Sequence, residues 1–93
     1  MILTEPRHLN IILSILGHYP YRFYGFGSRV KGNPRKLSDL DLVYFDPIPS
    51  GLLTAIQEEF EESDLPYTVD LLDWNACSPE FQAIIKKDMV PIP

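Results

Sequence analysis

The chain has 93 residues, 8 of them basic and 13 acidic, for a formal charge of −5 at pH 7; that length fits one domain with one modest core, about two-thirds of its surface buried on folding. An apolar share of 45% and an aromatic share of 12% exclude a disordered chain, and so few cations disfavour a grip on a nucleic-acid backbone. The lone Cys77 excludes an internal disulfide, and the apolar stretch 11–17 is too short for a bilayer and follows no basic leader, so a small acidic cytoplasmic domain over residues 1–93 is expected.

Nine prolines divide the chain into segments of secondary-structure length, with no internal repeat. Thr4 is expected to cap a first helix, whose positions Leu9, Ile12, Leu13 and Leu16 follow helical spacing, and Gly17 to end it. Residues 21–26 are aromatic and short, and read as a strand. Residues 40–45 form a second strand, rich in Val, Tyr and Phe. Ser50 is then expected to cap a helix with Leu52, Leu53, Ile56 and Phe60 on one face. Glu58, Glu59, Glu61 and Glu62 lie at its far end, where the helix dipole disfavours them, and read as a solvated face. Residues 67–73 form a third strand, and Ser78 with Pro79 opens a last helix through Phe81, Ile84 and Ile85. The expected fold class is α/β (α+β), a small sheet carrying helices.

The chemistry concentrates in residues 24–46, YGFGSRVKGNPRKLSDLDLVYFD. A Rossmann fingerprint needs glycine where Val30 stands, and a Walker A loop needs Lys and Ser/Thr where Asn33 and Pro34 stand. What remains is a strand turning through Gly27-Ser28 into a short helical segment. Its amides and the Ser28 hydroxyl could hold a phosphate, although taken alone the motif reads more simply as a structural turn.

Asp39 and Asp41 stand two apart at a strand mouth, on one face and about 7 Å apart at the backbone. Leu40, Leu42 and Tyr44 take the opposite, core-facing side. Two adjacent carboxylates repel unless a cation lies between them, and Mg²⁺ suits this oxygen pair together with substrate phosphates. A solvated D-x-D is the plain alternative. Asp70 lies inside the apolar run YTVDLLD, on the face opposite Val69 and Leu71, where an uncompensated charge is costly. Asp73 has the other parity and is expected to cap the following loop.

Gly27-Ser28, ten intervening residues and Asp39-x-Asp41 match the GS-x10-D-x-D signature of the polymerase-β-like nucleotidyltransferases. With the GSRVKG wording, the SDLDL strand and the VDLLDW strand, nearly the whole chain resembles the minimal nucleotidyltransferases, which are paired with a separately encoded helical HEPN or substrate-binding protein. The resemblance implies a small mixed β-sheet with helices mainly on one face, the polymerase-β palm fold. It implies that Asp39, Asp41 and Asp70 are catalytic and bind two Mg²⁺ ions, with Asp70 helping to deprotonate the acceptor. Gly27 and Ser28 would hold the triphosphate of ATP or another nucleoside triphosphate, and Arg29 and Lys31 would neutralise it. Lys36 is a weaker candidate, and Arg29 has the alternative of a structural ion pair.

The implied activity is transfer of a nucleoside monophosphate, AMP from ATP, to a hydroxyl acceptor, as an antitoxin that AMPylates its HEPN partner. Two alternatives stand beside it: a non-catalytic antitoxin that binds and occludes, and transfer to a small molecule held by the partner. An expected radius of gyration of about 12 Å leaves little room for two substrates, so a partner or homodimer is expected to complete the site. His8 and His18 lack neighbours at zinc-ligand spacing, Cys77 reads as incidental, and Trp74 as a core or partner contact.

Overall fold

The computed structural model describes residues 2–32 and 39–93, without the side chain of Lys31. In chain order the elements are α1 (Pro6–Leu16), β1 (Phe23–Phe26), α2 (Ser28–Lys31), β2 (Leu40–Tyr44), α3 (Ser50–Glu62), β3 (Val69–Asp73), a 3₁₀ turn (Trp74–Ala76), α4 (Pro79–Asp88) and β4 (Val90–Pro91). The four strands make one sheet in the order β3-β2-β1-β4. β1 runs antiparallel to both β2 and β4, whereas β2 and β3 are parallel. The parallel pair is what the α3 crossover requires, because parallel strands cannot be joined by a tight turn.

β2 is central, and its burial shows it. Leu40 and Leu42 are fully buried on one face with Tyr44, and Val43 is fully buried on the other. Asp41 is the only charged residue in this strand. The Leu40–Leu42–Tyr44 face packs against Ile12, Ile15 and Leu16 of α1 and against Ile56 and Phe60 of α3. The other face meets Phe26, Leu72 and Trp74, with Phe81 and Ile85 of α4. Helices therefore lie mainly on one face, with α4 covering part of the second. Each fully buried aliphatic side chain contributes about 1.5–3 kcal/mol through burial.

Local signals in the sequence hold unevenly. Ser78 caps α4 by accepting from the Phe81 amide at 3.2 Å, with Pro79 in the first turn. Asp73 caps the 3₁₀ turn by accepting from the Asn75 amide at 2.9 Å. Thr4 does not cap α1: Glu5 is the flanking residue and makes no capping bond, and the Thr4 hydroxyl instead meets the Tyr67 hydroxyl at 2.7 Å. The buried stripe of α1 is His8, Ile12, Ile15 and Leu16, shifted from the expected one. Ser50 lies inside α3, which Pro49 precedes, and Leu52 is 37% exposed. β4 is an addition, a two-residue strand that pairs Val90 with Gly25 and Pro91 with Tyr24.

The acidic end of α3 is not merely solvated. Glu59 accepts from the Tyr19 hydroxyl and is 3.0 Å from Nδ1 of His18, tying α3 to the segment after α1. The Tyr19 hydrogen bond outweighs burial and, with His18, holds the Glu59 carboxyl below its usual range. Deleting a core side chain on the α1–α3 face tests the packing. Leu42→Ala is expected to cost about 2–5 kcal/mol, read as a lower urea midpoint at unchanged slope.

Candidate active site

The site is built where β1 ends and β2 and β3 begin. Phe26 pairs with Asp41 across the β1–β2 ladder, and Asp41 pairs with Asp70 across the parallel β2–β3 ladder. Neighbouring strands lie about 4.8 Å apart, so the two aspartates are lateral neighbours on one face. Asp39 has the same parity as Asp41, one step before β2, and is exposed. The structure thus brings all three carboxylates to one corner of the sheet.

Their electrostatics favour a cation. Burial pushes the Asp41 carboxyl above its usual range, and the charges of Asp70 and then Asp39 push it the same way. The donors are all carboxylate oxygens, the kind that hard divalent ions take. Among the described residues no three His, Cys, Asp or Glu side chains are arranged to hold a metal ion as they stand. An open carboxylate set of this kind suits Mg²⁺, which keeps waters and takes substrate phosphates as further ligands.

Gly27 explains how the turn comes so close. Its φ of +83° is a conformation that side chains disfavour. A Cβ built on Gly27 would lie 2.6 Å from Oδ2 of Asp41. The turn and the central carboxylate are therefore in direct contact, and only hydrogen fits between them. Ser28 follows as the exposed first residue of α2, and the Val30 amide bonds back to the Gly27 carbonyl at 3.0 Å.

Arg29 is not brought to this corner. It is 4% exposed, its guanidinium lies 3.7 Å from the centroid of the Tyr67 ring, and Nη1 donates to the Leu3 carbonyl at 3.0 Å. The side chain of Lys31, and Lys36 entirely, lie outside the described residues.

A cleft of about 600 Å³ opens over Asp41 and Asp70 but is not lined by Asp39; Phe26, Gly27, Asp41, Asp70, Leu71 and Leu72 line it from the sheet side. Gln57 of α3 and Phe81, Ile84 and Asp88 of α4 complete it. Sequence reasoning missed these four as site residues. Gln57 sits on the solvent side of an amphipathic helix and carries no signal. Ile84 carries the opposite signal, since its spacing with Phe81 and Ile85 reads as one buried stripe, yet it is 52% exposed.

Two outcomes follow from this geometry. The raised Asp41 carboxyl favours the folded state below its unfolded pKa and loses that contribution as pH rises through the folded value, so ionised Asp41 burdens the metal-free fold at neutral pH. Asp41→Asn is expected to raise the melting temperature at pH 7 by a few degrees, and Mg²⁺ to stabilise the native protein but not this variant. Gly27→Ala is expected to destabilise the fold and to abolish the Mg²⁺-dependent rise, because the new methyl displaces the Asp41 carboxylate; thermal scans with and without Mg²⁺ check both.

Comparison with known proteins shows the family and the fold. Residues 12–92 match the family described as Polymerase beta, Nucleotidyltransferase. A protein of Haemophilus influenzae described as "Probable protein adenylyltransferase MntA" is 49% identical over 92 residues, covering 95% of this chain and 81% of that one. Two crystal structures share the fold. A toxin-antitoxin with AMP-PNP superposes with a TM-score of 0.70 at 22% identity, over 91% of this chain and 72% of that chain. A mutant of the toxin-antitoxin MntA-HpeT gives 0.63 at 18% identity, over 91% and 71%. The matched span contains the Gly27-Ser28 turn, all three aspartates and all four strands, and the chain belongs to the polymerase beta nucleotidyltransferase family.

Proposed function

We propose that this nucleotidyltransferase moves AMP from ATP to a hydroxyl on a separately encoded HEPN partner, and so acts as the antitoxin of a two-protein system. The observation that carries the reading is the lateral Asp41–Asp70 pair, with Asp41 in contact with the Gly27 turn. The 49%-identical relative, described as a protein adenylyltransferase, supports AMP and a protein acceptor. The toxin–antitoxin neighbours support a partner and an adenine nucleotide.

In this reading Gly27 and Ser28 hold the triphosphate tail through backbone N–H groups and the Ser28 hydroxyl. Asp39, Asp41 and Asp70 would hold Mg²⁺, two ions in the family pattern, which supply charge neutralisation at the phosphates. The acceptor oxygen forms a bond to the α-phosphorus, the bond from that phosphorus to the bridging oxygen breaks, and pyrophosphate leaves. Asp70, exposed at the cleft, takes the acceptor's proton. The lone Cys77 accords with a reducing cytoplasm; no helix among the described residues is long and apolar enough to cross a membrane.

A purely binding antitoxin has no use for a half-buried carboxylate wedged between two others, which lowers stability at neutral pH. Incubation with Mg²⁺, ATP labelled at the α-phosphate and the purified partner is expected to label the partner. Asp39→Asn and Asp41→Asn should each reduce labelling by more than the roughly 10–100-fold typical of outer-shell changes. Equal labelling by the variants, or none by the native protein, would overturn the reading.

A further inference from the structure

The Arg29 guanidinium lies over a ring rather than at the cleft, and its surroundings form a closed ring of contacts. Arg29 and Leu3 exchange two bonds: the Leu3 amide donates to the Arg29 carbonyl at 2.6 Å, and Nη1 donates to the Leu3 carbonyl at 3.0 Å. The guanidinium stacks at 3.7 Å on Tyr67. The Tyr67 hydroxyl returns to Thr4, next to Leu3, at 2.7 Å. His8 of α1 meets the same ring edge-on, at 5.9 Å between centroids.

This ring joins two parts of the site from beneath. Arg29 directly follows Ser28 on α2. Tyr67 lies two residues before β3, and the intervening Thr68 carbonyl accepts from the Leu40 amide at 2.9 Å, next to Asp39 and Asp41. Arg29 and Tyr67 are 4% and 8% exposed, and neither lines the cleft over the aspartates. α2 is only four residues long and cannot hold its own position through helix hydrogen bonds. On the cleft side Gly27 rests on Asp41, and on the far side the Arg29–Tyr67 stack fixes the turn against the lead into β3.

We propose that Arg29 and Tyr67 are a positioning pair that holds the Gly27-Ser28 turn at its working distance from Asp41 and Asp70. The inference rests on reading that turn as the triphosphate cradle. A planar guanidinium is suited to this task, since it stacks on an aromatic face while its fork reaches a carbonyl, and lysine does not replace it.

Two measurements on the full chain test it. The first is hydrogen exchange of the free protein. Tyr67→Leu is expected to speed exchange at the Val30 and Gly32 amides by about tenfold or more, while the β2 amides of Leu42 and Val43 keep their protection. Tyr67→Phe, which keeps the ring, should stay near native. Uniform acceleration in every element, or none in α2, would overturn the proposal. Should Tyr67→Leu fail to fold, Arg29→Lys gives the same readout with the charge kept, and unchanged α2 exchange in it is equally fatal.

The second measurement is binding of a non-hydrolysable ATP analogue with Mg²⁺. Misplacing the turn is expected to raise Kd about tenfold in Tyr67→Leu and Arg29→Lys and to leave Tyr67→Phe within a few-fold. A direct phosphate contact by Arg29 would instead leave Tyr67→Leu unaffected, and that result counts against the pair. A native protein that binds no nucleotide would remove the cradle reading, and the exchange data alone then decide whether Arg29 and Tyr67 position the turn.

Discussion

A carboxylate that the fold half-buries between two others is the constraint to which the rest of this structure answers. Asp41 occupies the central strand because that is the one place where a residue from β1, a residue from β3 and the turn after β1 all come within reach. The cost is lost hydration and, after it, like-charge repulsion at one position. The remainder of β2 offsets it: Leu40, Leu42 and Val43 are fully buried, which anchors the strand on both faces. Stability and chemistry are thus divided along a single five-residue strand by alternation.

Much of this division was legible in the sequence because it depends on short-range pattern. The parity of LDLVY and VDLLD assigns Asp41 and Asp70 to the face opposite Leu42 and Leu71, and the register aligns them. The caps at Asp73 and Ser78 are equally local and stand where the residues suggest. The Gly27 turn was legible as a turn, but its contact with Asp41 was not, because the two are separated by thirteen residues of intervening chain.

The expectations that changed share one cause, a partner far away in the chain. Thr4 looked like a helix cap, yet its hydroxyl goes to Tyr67. Arg29 carried two readings, a phosphate ligand beside Ser28 or a structural contact, and the ring beneath it belongs to the segment before β3. Glu59 looked solvated until Tyr19 and His18 were placed against it. β4 escaped notice for a different reason: two residues ending in proline carry almost no strand signal, and only the exposed edge of β1 gives them a partner.

β4 also changes which strands form the edges of the sheet. With β1 covered, the edge strands among the described residues are the two-residue β4 and the longer β3, and β3 borders the cleft. Open edges invite another strand to add, and inward or flanking charge is a usual deterrent. Two of the five β3 residues are aspartates. The carboxylate at Asp70 therefore places charge on an edge strand while it faces the cleft, so one side chain serves the site and discourages a further strand from adding beside it.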